Sequence, residues 1–111
     1  MLWREQGIGD DILFLSLIPE AFKITKTLSV YVDQRLIPLC ERSMRGIKFK
    51  PYTPGRIDGE EFDYHLPMGS LPRLFRNSEK DFDRVVRGYL KADSKRVESL
   101  RDELGLRGKK V

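Results

Sequence analysis

Residues 3–14 read WREQGIGDDILF. Two glycines flank Ile8, two aspartates follow, and a dense apolar run begins at Ile12. This composition suits the turn from a strand into a helix. Gly-Ile-Gly lets the chain reverse tightly and leaves backbone N–H groups at a helix N-terminus, where an anion can bind. It is not the dinucleotide fingerprint G-x-G-x-x-G, because residue 12 is Ile, and no Gly-Lys-Ser/Thr follows to make a Walker loop. The reading is a steric turn with room for a phosphate.

The pattern outward from that turn is alternating. Ile12, Leu15, Ile18 and Phe22 fall at helical spacing over 10–25, and Leu13, Phe14 and Leu17 widen the stripe almost all round, so burial on more than one side is expected. Pro19 predicts a kink or break near Ile18. Residues 27–33, TLSVYVD, alternate and are β-branched, which predicts a strand. A helix is expected over 34–44, with Pro38 in its first turn and Gly46 past its end. A strand follows over 47–52, a loop over 53–61 with Pro54, Gly55 and Gly59, and a third strand over 62–67. Ser70 is placed to cap a short helix over 71–75, with Pro72 in its first turn. The stretch 78–86 is ambiguous. Ser94 is placed to cap a helix over 94–104, along which Val97, Leu100, Arg101 and Leu104 share a side and which Gly105 stops. Residues 1–4 would end a first strand, and 109–111 would begin another element. Strands alternating with helices predict an α/β fold, a three-layer Rossmann-like domain with a mainly parallel sheet.

Composition narrows the function classes. The chain has 111 residues, 40% hydrophobic and 34% charged, with net charge +4. A chain of this length buries roughly 65% of its unfolded surface. No apolar run approaches 18 residues, so no membrane span is expected, and the N-terminus lacks the apolar core of a signal peptide. Acidic residues are interleaved with the basic ones, which argues against nucleic acid as a partner. The single Cys40 allows no internal disulfide and suits a reducing, cytoplasmic compartment. No metal-ligand spacing is present, and no cofactor is expected.

Two motifs make the pattern more specific. Trp3, Glu5, Gln6, Gly7, Gly9 and Asp10 match W-x-E-Q-G-x-G-D. Phe62, Asp63, Pro67, Ser70, Leu71 and Pro72 match F-D, a proline and then S-L-P, and YLKAD follows at 89–93. In these motifs the chain resembles the N-terminal half of a bacterial glycosyltransferase domain found behind tetratricopeptide repeats. That domain is related to the family 9, heptosyltransferase-like enzymes of the GT-B fold. The resemblance covers essentially the whole chain. It implies half of a GT-B fold: 1–111 as one Rossmann-like domain from a longer protein, holding the acceptor. The nucleotide-sugar donor would bind mainly to a C-terminal domain, the expected partner, so the chain alone is expected to be inactive. The alternative is a non-catalytic binding or interaction module on the same fold.

Asp10 is the sharpest candidate. The resemblance implies that it is the base that takes a proton from the acceptor hydroxyl; the residue pattern equally allows an N-cap or first-turn acid, with Asp11 a plain first-turn carboxylate. The substrate-binding set comprises Glu5, Gln6, Gly7, Gly9, His65 and Ser70. Glu5 and Gln6 either point into the interdomain cleft or hydrogen-bond the loop. His65 is the one histidine, and a lone histidine on a strand is more often structural than functional. Ser70 has no histidine partner at a motif spacing, so capping is favoured over nucleophilic chemistry. Cys40 falls on the apolar side of its helix. Arg73 and Arg76 share a helix face, suited to solvent or to a phosphate. Apolar residues around the turn, Ile8, Ile12 and Phe14, are expected to lack cover and to drive a homodimer.

Overall fold

The computed structural model describes residues 1–56, 61–84 and 88–110. Four strands, β1 (Leu2–Trp3), β2 (Ser29–Val32), β3 (Lys48–Pro51) and β4 (Leu66–Pro67), form one sheet in the order β3-β2-β1-β4, every pair parallel. Among the described residues five α-helices accompany them: α1 (Ile8–Leu15), α2 (Ile18–Lys23), α3 (Ile37–Ser43), α4 (Leu71–Phe75) and α5 (Ser94–Glu103). The fold is α/β with an all-parallel sheet flanked by helices, consistent with the Rossmann-like three-layer plan that the alternation predicts.

Register divides the sheet into two rows. Leu2, Val30, Phe49 and Leu66 are paired across the strands, so they share one face. That row clusters with Leu15 of α1, Ile18 and Ala21 of α2, Cys40 of α3 and Leu71 of α4. Each such side chain contributes about 1.5–3 kcal/mol by leaving water. Trp3, Tyr31, Lys50 and Pro67 form the other row. Over it lies the start of the β3–β4 connection, with Tyr52, Thr53, Gly55 and Arg56 beside Trp3 and Tyr31.

Several boundaries differ from expectation, for local reasons. The apolar stretch over 10–25 forms two helices, α1 and α2, broken near Ile18 as Pro19 predicts. The break falls at Ser16 and Leu17, where the Ser16 hydroxyl donates to the Leu13 carbonyl, and Pro19 sits in the first turn of α2, where its missing N–H costs nothing. The helix over 34–44 begins as a 3-10 turn, Gln34–Leu36, capped by the Asp33 side chain. The strand over 62–67 shrinks to Leu66–Pro67, because its partner β1 offers two residues. Within 78–86, Glu79–Arg84 form a 3-10 turn; residues 85 and 86, like Gly59 and Val111, lie outside the described residues. Lys109 and Lys110 have no regular structure.

Two expected caps are corrected. Asp93, not Ser94, caps α5, its carboxylate accepting from the Arg96 N–H at 3.1 Å. Ser70 occupies the N-cap position of α4 but makes no side-chain cap bond, because the chain enters α4 from a 3-10 turn (Met68–Ser70) already in helical geometry. The YLKAD stretch works as a strap. The Tyr89 hydroxyl donates to the Ile12 carbonyl, Arg42 Nε donates to the Lys91 carbonyl at 2.7 Å, and the Lys91 N–H donates to Ser43 Oγ at 2.8 Å. These bonds tie the segment before α5 to α1 and α3.

Candidate functional site

In a parallel sheet the strand ends and following loops gather at one edge, and ligands bind where the strand order reverses. Here β1 leads through α1 to β2 on one side, while β4 lies on its other side. The reversal therefore falls between β1 and β4. The two sequence motifs supply the two walls of that crevice, 5–10 after β1 and 68–72 after β4.

The walls touch. A Cβ on Gly69 would stand 2.8 Å from Glu5 Oε1 and 3.6 Å from the Phe14 ring, so the absence of a side chain lets Glu5 lie against the β4 turn. Gly7 and Gly9 act differently from the tight reversal expected of them. Neither has a positive φ: Gly7 is extended at φ −71°, and Gly9 is already inside α1. Gly9 has no neighbour within 4 Å of where a Cβ would stand, so the first turn of α1 is open to solvent. The helix N-terminus adds unsatisfied N–H groups there.

Asp10 is exposed at this opening. Its Oδ2 accepts from the Gly7 N–H at 3.2 Å, half of a capping box. Asp11, one residue on, points the other way and is 2% exposed. It is not the plain first-turn carboxylate expected. Arg4 Nε lies 2.8 Å from Asp11 Oδ2, an ion pair without an aligned hydrogen bond. Burial raises the Asp11 pKa, outweighing the opposing pull of the Arg4 charge.

Arg4 ties several parts together. Its Nη1 donates to Asp33 Oδ2 at 3.0 Å, and its Nη2 donates to the Gln6 carbonyl at 2.6 Å. Arg35 in turn grips Asp33 through Nε at 2.9 Å and Nη2 at 2.9 Å. The Arg35 side chain and backbone bonds, with the charges of Arg35 and Arg4, hold the Asp33 carboxyl far below the ordinary carboxylate range. The glycine turn thus rests on a charged network joining the ends of β1 and β2.

The structure brings Glu5, Gly7, Gly9, Asp10 and the Gly69–Ser70 turn to one edge; Gln6 contributes its carbonyl to the Arg4 tie, and its side chain is on an exposed residue. His65 is elsewhere. It precedes β4, at the opposite end of that strand, and lines a cavity with Met1 and Trp3. Arg76 does not face solvent with Arg73. It pairs with Glu20 through two bonds of 2.6 and 3.0 Å. Cys40 is fully buried, and burial pushes its thiol up to about 11. Around α1, Ile8 and Phe14 are half-buried, whereas Ile12 is exposed and Leu13 is 64% exposed. Among the described residues no group of His, Cys, Asp and Glu is arranged to hold a metal ion, and no helix is long and apolar enough to cross a membrane.

Sequence reasoning missed Arg4, Asp11, Asp33 and Gly69. A signal existed for two of them: Arg4 and Asp33 each follow directly on a strand end, and opposite charges at neighbouring parallel strand ends can pair.

No protein-family profile matches the chain. No solved structure matches it. Among known proteins it is similar to Protein FlbA of Caulobacter vibrioides, 27% identical over 112 residues, a match covering 87% of this chain and 19% of FlbA. The chain therefore spans about a fifth of the length of that relative.

Proposed function

We propose that this chain is the acceptor-side domain of a GT-B-like glycosyltransferase, holding a sugar acceptor at the crevice between β1 and β4. One observation carries the reading. At the point where strand order reverses, an exposed carboxylate, Asp10, stands beside a helix turn left open by Gly9, with Glu5 laid against Gly69. An open turn of backbone N–H groups suits an anionic substituent on the acceptor. Two exposed carboxylates suit hydroxyl recognition, and Asp10 is the one placed to accept a proton. Arg4 is a positioning residue that holds the turn through the Gln6 carbonyl. The donor nucleotide-sugar is bound by a second domain, and the locale is the cytoplasm.

The bond from the Gly7 N–H to Asp10 favours a second reading, a binding module on which Asp10 is a cap. Both readings place the ligand at the same edge. The test is a titration of isotopically labelled chain with pentose, hexose and heptose sugars and their phosphates, with uridine diphosphate as the donor-side control. Expected are amide shifts at Gly7, Gly9 and Asp10 and at Gly69 and Ser70 with a sugar or sugar phosphate, and none with the nucleotide. Absence of any sugar-dependent shift at that edge overturns the proposal.

A further inference from the structure

The Trp3 and Tyr31 row of the sheet borders a cavity of about 390 Å³, lined by Trp3, Tyr31, Tyr52, Thr53, Arg56 and His65 among others. Its volume falls in the range of small-molecule sites, and its lining has their usual make-up of aromatic walls with a few polar groups. The Trp3 and Tyr52 rings are nearly parallel, 13° apart, with centroids at 6.3 Å. Lys50 Nζ stands 5.9 Å from the centroid of the Tyr31 ring.

The Tyr31 hydroxyl makes the cavity more than a gap in packing. Tyr31 is 3% exposed, and its hydroxyl is buried with no hydrogen-bond partner among the described residues. A buried hydroxyl left unpaired is costly, and native structures rarely keep one without a use. A phenylalanine would fill the same position without that cost. Neighbouring strands place Trp3 level with Tyr31 in the sheet, so the hydroxyl-bearing ring and the indole share one wall. The cation Arg56 lies on the connection that borders the opening.

We propose that this cavity is a binding site for a small ligand that combines a flat ring with an anionic group. The ring packs on the Trp3 and Tyr52 side chains, as flat rings do on aromatic faces. The anion meets the Arg56 guanidinium, which favours such groups in paired, planar contact. A polar atom on the ring takes up the Tyr31 hydroxyl. The site is separate from the β1–β4 crevice and does not depend on the glycosyltransferase reading.

Trp3 is the one tryptophan in the chain, so its emission reports this wall directly. Phenyl phosphate is titrated against wild type, with phenol and inorganic phosphate as the two halves of the ligand. Phenyl phosphate is expected to change Trp3 emission saturably, and each half alone to bind at least roughly tenfold more weakly. Arg56→Gln, at an exposed position, is expected to weaken phenyl phosphate and leave phenol unchanged. Tyr31→Phe, which removes a hydroxyl with no partner among the described residues and so keeps the fold, is expected to weaken phenol, whose own hydroxyl is the polar atom on its ring. No saturable change in Trp3 emission overturns the proposal. So does equal binding of phenol and phenyl phosphate, or binding unchanged in both variants.

Discussion

Asp10 and Asp11 are adjacent, yet they belong to different regions. Asp10 stands in solvent at the mouth of the β1–β4 crevice, where it accepts from the Gly7 N–H. Asp11 is buried beneath the turn, against Arg4. The same side chain, shifted by about 100° around a helix, moves from a group free to meet a ligand to part of the frame. What separates them is burial, and the Arg4 network makes the separation stable. The buried side fixes the turn so that the exposed side presents its carboxylate in one place.

The largest effect expected from breaking this arrangement comes from Arg4→Met. Without Arg4, a 2% exposed carboxylate lies near Asp33 with no cation between them. Loss of one partner from such a pair costs about 3–5 kcal/mol. Chemical denaturation reads this. Adding Asp11→Leu to Arg4→Met sharpens the test, because it removes the orphaned charge and should recover much of the loss.

The pH dependence follows next in size. Asp33 is held far below the ordinary carboxylate range, so its contribution is present above about pH 4 and is lost as pH falls toward its folded value. Asp11 is raised by burial, so it acts with the opposite sign: the fold gains as pH falls through the raised value of Asp11. Denaturation midpoints across acid pH should show Asp33→Asn flattening the acid limb. Asp11→Asn should remove the opposing gain, which lies above the ordinary carboxylate range.

The exposed side should respond little in stability. Asp10→Ala removes half a capping box and is expected to cost about 0.5–1 kcal/mol. Gly69→Ala is smaller still. The group in the way is the end of the flexible Glu5 side chain, which can swing aside, so stability should stay within about 0.5 kcal/mol. Glu5 should nevertheless leave the β4 turn, and sugar-dependent shifts at Gly69 and Ser70 should weaken.

The alternation of strands and helices was legible because it rests on periodicity: SVYV reads as a buried strand whatever surrounds it. The helix break near Ile18 was legible in Pro19, which stands in the first turn of α2, where its missing N–H costs nothing. The third strand was overlong because strand length is set by its partner, and β1 offers only Leu2 and Trp3. Of the candidate site, Glu5, Gly7, Gly9, Asp10 and Ser70 were legible in two motifs. Arg4 with Asp33 was not, because their pairing depends on the β1–β2 register. Nor was Gly69, whose value lies in what its missing side chain lets Glu5 do. His65 was grouped with the site by sequence, but it stands at the other end of β4, beside a different cavity.

Under the proposed function Asp10 is the base that takes a proton from the acceptor hydroxyl. The most direct measurement is nucleotide-sugar turnover by the natural protein, comparing wild type with Asp10→Asn over a donor panel. The account predicts a loss of about 10²–10⁴-fold in turnover, the span of general-base catalysis, with folding stability changed by no more than a cap is worth. Full turnover in Asp10→Asn would contradict it and leave Asp10 as a helix cap alone.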